Sequence, residues 1–133
     1  MSSIGEMERE IHELEEKIEK YNDIITILKE KRGELQNERG IIINDAYAPE
    51  KAYDMTRSSE WRGKREEDAK DHQDKIKEKT KNAITATGQL LSDIETAIQN
   101  LLNKIEACKR RISYLRHKIE ELERQQQGNS QEQ

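Results

Sequence analysis

Three histidines and one cysteine are the side chains of this 133-residue sequence best suited to catalysis or metal binding. A metal centre or a nucleophile–base pair needs its members within hydrogen-bond reach of one another. His12, His72 and His117 are far apart along the chain, and the helical register developed below turns His12 and His117 outward. Cys108 has no second cysteine to pair with and falls at an inward position, where a thiol packs as a small apolar group. Neither a glycine-rich phosphate loop nor a cluster with metal-ligand spacing occurs. The abundant Glu and Lys residues read as a solvated surface, not as acid/base pairs. The sequence therefore predicts a chain that is not an enzyme and uses no metal or cofactor. What remains is the stretch "SSEWRGKR", where the only tryptophan, Trp61, stands two residues before Gly63. Glycine lets a backbone reverse or be approached closely, and an indole beside it offers a large apolar face with one N–H donor.

The elements that would position this tripeptide are legible in the apolar spacing. Hydrophobic residues make up 32% and charged residues 39% of the chain, too polar for a thick globular interior. Disorder is excluded by regular periodicity. Counting in alternating steps of three and four, a ladder runs Ile4, Met7, Ile11, Leu14, Ile18, Tyr21, Ile25, Leu28, Arg32, Leu35, Arg39, Ile42. These are the a and d positions of heptads, interrupted only by two arginines. Ser3 and Glu6 have the spacing of a capping box at its start. A second ladder runs Ile84, Thr87, Leu91, Ile94, Ile98, Leu101, Ile105, Cys108, Ile112, Leu115, Ile119, Leu122. The two have equal length. Folded antiparallel, each a residue of one meets a d residue of the other, with paired numbers summing to 126 and the midpoint at Gly63. Ile11 then faces Leu115, and Ile18 faces Cys108.

The fold class predicted is all-α: an elongated antiparallel two-helix hairpin, a coiled coil, with a W-x-G turn. Its parts are a long helix over 1–57 broken near Pro49, a turn at 58–63, a second long helix over 64–124, and a disordered tail over 125–133. Within the second helix, Ala69, His72, Ile76 and Ala83 make a weaker stripe offset by one residue from the main ladder. Arg32 and Arg39, as charges in the seam, are candidates for setting its register or for pairing with another chain; in the simpler reading their stems pack and their heads reach nearby glutamates. Ile24, Ile27, Ile41, Ala83, Ala86, Leu90 and Ala97 fall at g and c positions, on one flank that a two-helix seam does not cover. That flank is the expected partner interface, for a dimer or a complex.

Two helices joined by W-x-G, here Trp61 and Gly63, in a small acidic chain of net charge −4, resemble the WXG superfamily of type VII secretion. The length and the proline before the tryptophan are closer to its YwqH-like branch. That resemblance implies a small helical partner or targeting chaperone of LXG-domain toxins in Gram-positive bacteria. The Y-x-x-x-D/E export signal of the superfamily is not met: Tyr21, Tyr47, Tyr53 and Tyr114 lead to Ile25, Lys51, Arg57 and Lys118. The N-terminal "MSSIGEMERE" lacks a basic-then-apolar leader, and no apolar run nears the roughly 18 residues that span a bilayer. The expected location is the cytoplasm, or export through type VII secretion in complex with a partner that supplies the signal. Interspersed charge offers no surface to nucleic acid. Two other readings are a prefoldin-like holdase, for which "GIIIND" (40–45) would serve as a short strand, and a structural coiled-coil homodimer.

Overall fold

The computed structural model describes the backbone of residues 3–47 and 64–132. The described chain is helical throughout. Helix α1 spans Ile4–Ile41, a π-helical segment continues it over Ile42–Tyr47, and helix α2 spans Lys64–Glu132. The helices pack in two units, one formed by Met1–Leu28 with Thr96–Gln133 and the other by Lys29–Glu95. No strand occurs among the described residues, and the 40–45 stretch is helical. The single sequence feature favouring a prefoldin-like chain is thereby removed.

Helix α1 begins with the expected capping box. The Glu6 amide donates to Ser3 Oγ at 3.1 Å, and the Ser3 amide donates back to Glu6 Oε2 at 3.4 Å. Two otherwise orphaned N–H groups are thus satisfied at the helix start. The Met7 amide then closes the first turn on the Ser3 carbonyl at 3.0 Å.

In the first unit the two ladders bury each other. Met7, Ile11, Ile112, Leu115 and Ile119 form a core, with Ile4, Leu14, Ile18 and Leu122 packed around it. Leu115 is the most enclosed side chain, 2% exposed. Ile25, Ile98 and Ile105 are also buried, while Tyr21, Leu28, Leu101 and Cys108 are half-buried. Antiparallel pairing is visible in the flanking ions. Arg111 Nε donates to Glu10 Oε1 at 3.0 Å, and Arg116 Nη2 to Glu15 Oε1 at 3.0 Å. Glu10 and Arg111 are both g residues; Glu15 and Arg116 are both e residues. Only an antiparallel seam sets like flanks side by side, whereas parallel helices pair g with e.

In the second unit Leu35, Ile42, Ile84, Leu91 and Ile94 are half-buried along the same ladders. Farther toward the start of α2 the covered face keeps the ladder's phase: Gln73 is buried, with Lys77 and Thr80 half-buried at the next a and d positions. The expected stripe offset by one residue is met only in part: Ala69 and Ala83 are half-buried, but His72 and Ile76 are exposed. Over 73–80 polar residues therefore occupy the inward positions, and Ile76 lies beside them.

The π segment has a matching logic. A straight ladder would turn Ala46 inward after Arg39 and Ile42. Instead Ala46 is exposed, while Ile43 and Tyr47 join Ile42 on the half-buried side. The i→i+5 winding adds one residue to the turn and slips the phase by one. Helix α2 also runs past Leu122 to Glu132, where the sequence reading had placed a disordered tail from 125. Arg124 and Gln125–Gln127 are good helix formers, and no proline stops them. The remainder of the expected first helix up to 57 and the turn at 58–63 lie outside the described residues.

Candidate interaction surface

Trp61 and Gly63 lie outside the described residues. The structure does place the seam arginines and the proposed interface. Arg32 stays in the seam with its side chain 28% exposed, and its guanidinium pairs with Glu95, an e residue of α2. Arg39 sits opposite Thr87 in the 126 register. Its Nε donates to the Ile84 carbonyl at 3.3 Å, and its guanidinium lies over Gly88. A helix carbonyl is ordinarily screened by the side chain of the residue one turn on. At position 88 there is none, so the Ile84 oxygen is open to a second donor. Thr87 Oγ1 shares that oxygen at 3.0 Å and the Ala83 oxygen at 2.9 Å. Both arginine heads therefore leave the seam on the e side of α2, at positions 88 and 95. The simpler expectation, packed stems with heads reaching outward, describes Arg32; for Arg39 the acceptor is backbone and not a glutamate.

Because the arginines leave on the e side, the g/c side of α2 in this unit receives no seam cation. Ala83 is half-buried there, Ala86 is exposed, and Leu90 is 49% exposed. Ile41 of α1 is 51% exposed. Ile76, one heptad before Ala83, belongs to the same stripe and is exposed. Its spacing from His72 and Ala83 places it on the expected seam stripe, which is why the sequence does not mark it as an interface residue. In the first unit Ile24 and Ile27 are 44% and 55% exposed, and Ala97 is half-buried. Exposed Leu102 and Tyr114 were not singled out either. The sequence signal for Tyr114 was available, since it is a c residue one turn from Arg111. The Arg111 guanidinium stacks 5.2 Å from its ring centroid. Arg111 is held above its ordinary pKa chiefly by the hydrogen bond to Glu10, so it stays charged.

The histidines are surface groups. His12 and His117 each face a glutamate one turn on, Glu16 at 3.2 Å and Glu121 at 3.8 Å, and His72 is exposed. Cys108 is half-buried in the seam. Among the described residues, no three or more His, Cys, Asp or Glu side chains are grouped to hold a metal ion. No described helix is long and apolar enough to cross a membrane.

Comparison with curated proteins and with solved structures finds no match. The family model described as YwqH-like matches residues 2–124, a span that takes in both ladders and the W-x-G tripeptide between them. On that match the chain belongs to the YwqH-like family.

Proposed function

We infer that the chain is a non-catalytic interaction protein whose helical hairpin binds helices of another protein. The observation that carries this reading is the set of large aliphatic side chains left in water beside an already closed seam: Ile24 and Ile27 in one unit, Ile41 and Leu90 in the other. A chain that satisfies its inward ladders and still exposes branched aliphatics at helical spacing is suited to helix-in-groove or bundle recognition. Family membership supports a partner class for this reading. A YwqH-like protein with a W-x-G tripeptide is read here as a WXG-type partner or targeting chaperone of an LXG toxin in type VII secretion. The toxin's helical N-terminal region would be the occupant of the flank. Trp61 and Gly63 would contact that partner or the secretion machinery. Lacking the tyrosine signal, the chain acts in the cytoplasm or leaves in complex with a toxin that carries one.

The test is binding to the helical N-terminal region of an LXG toxin from the same organism. The purified proteins form a stable complex, and the double variant Ile27→Asp/Leu90→Asp weakens it at least about tenfold, the cost of burying two unpaired charges. Retention of full affinity by a variant that keeps its helicity removes the flank as the binding face.

A further inference from the structure

The first unit has an unusual distribution of charge. Between residues 104 and 118 of α2, six Lys and Arg residues stand against the single Glu106. Opposite them in the 126 register, between residues 8 and 22 of α1, six glutamates stand against three basic residues. One helix is basic and its neighbour acidic, and the ion pairs Glu10–Arg111 and Glu15–Arg116 across the seam use only part of this charge. Glu13, Lys109 and Arg110 make no ion pair among the described residues. Since the g flanks of the two helices lie side by side, Glu6, Glu10 and Glu13 of α1 share a flank with Arg111, Tyr114 and Lys118 of α2. Tyr114, 56% exposed, stands there as an aromatic ridge. An open groove of about 410 Å³ lies beside it on this flank, lined by Met7, Arg111, Lys118 and Leu122.

We propose that this flank of the first unit is a self-association surface, on which a second copy of the chain docks about a two-fold axis parallel to the helices. Such an axis lays α2 of one copy along α1 of the other at the same level, and symmetry repeats the contact. Arg111 and Tyr114 of one copy then meet Glu13 of the other, and Lys118 meets Glu6 and Glu10. Every neighbouring pair of helices is antiparallel, as in a four-helix bundle. The flank carries Glu6, Glu10 and Glu13 on α1 and Arg111 and Lys118 on α2, with Glu121, paired to Lys118 at 3.8 Å, at the end of the basic run. A partner of one sign would leave half of it unmatched, whereas a second copy sets the glutamates of α1 against the cations of α2. Tyrosine and arginine at the centre are the side chains that dominate association energies. Farther along, Lys17, Lys20 and Lys104 share one sign, so the attraction resides at the Glu6–Glu13 end.

The purified chain alone supplies the test, so its failure leaves the toxin reading untouched. Sedimentation equilibrium at low ionic strength gives twice the 15.6 kDa monomer mass, and added salt weakens the dimer. Two variants reverse the flank: Glu10→Lys/Glu13→Lys makes both helices basic, and Arg111→Glu/Lys118→Glu makes both acidic. Each alone loses association by at least about tenfold, as like charges face across the axis. An equimolar mixture of the two regains the dimer, because each surface now finds its opposite. Circular dichroism verifies that helicity is kept; Tyr114→Ser, which removes only an exposed ring, gives the same loss should charge reversal unfold the hairpin. A wild-type chain that is monomeric throughout overturns the proposal. So do reversed variants that dimerise as well as the wild type, or a mixture that stays monomeric.

Discussion

Leu115 and Gly88 mark the two kinds of position that hold this hairpin together. Leu115 is the most enclosed side chain and closes the core of Met7, Ile11, Ile112 and Ile119. Truncating it leaves a cavity between two helices that cannot collapse freely, so Leu115→Ala is expected to cost about 2–5 kcal/mol, read as a drop in thermal or urea midpoint. Gly88 has the opposite expectation. A Cβ built there meets Arg39 Nη2 at 3.5 Å, ordinary van der Waals contact with the end of a flexible side chain. Alanine at 88 gains up to about 1 kcal/mol of helix propensity, so Gly88→Ala is expected to raise the midpoint. A fall would mean that the bare Ile84 carbonyl is worth more to Arg39 than the propensity gained. The surroundings of Arg32 and Arg39 are only half legible in the sequence. Their a positions follow from the count, but the glycine that receives Arg39 sits on the other helix, and no spacing within α1 points to it.

Every residue of both apolar ladders is buried or half-buried, because an inward stripe leaves a periodic trace that needs no tertiary knowledge. Pairing them required only their equal length. What the count missed is where the period changes without a break in helix. Ile42–Tyr47 winds as a π-helix, and the slip from Ala46 to Tyr47 has no marker in the apolar spacing, since Ile41, Ile42 and Ile43 fit any phase. Gln73 was passed over for the same reason: a buried polar side chain is silent in a search for apolar residues. The π segment offers fewer buried contacts than α1, so its amides are expected to exchange with deuterium faster than those of residues 11–25. Equal protection in the two stretches would contradict that ranking. Arg39→Leu is expected to raise thermal stability, as an apolar side chain replaces a charge in the seam. It should also broaden the set of cross-links that engineered cysteines form between residues 29–42 and 84–95. A variant with one unchanged cross-link pattern would show that the register is set elsewhere.

For the protein as a whole, composition narrowed the answer more than any motif did. A chain 39% charged with regular inward stripes fits paired helices closed on a narrow apolar seam better than a thick globular core. The resemblance to the YwqH-like branch is borne out by the match over residues 2–124; the helices proposed to fill the exposed flank would be recognised from the partner's sequence and not from this one. All of these readings require that the two ladders close on each other within a single chain, leaving the g/c positions to face outward. Spin labels at Ile11 and Leu115, introduced as cysteines in a Cys108→Ser background and diluted with unlabelled protein, measure this directly. The account predicts one narrow, short distance, set by helix axes roughly 8–10 Å apart and unchanged on dilution. A long or broad distribution, or a short distance that vanishes with dilution, would contradict it.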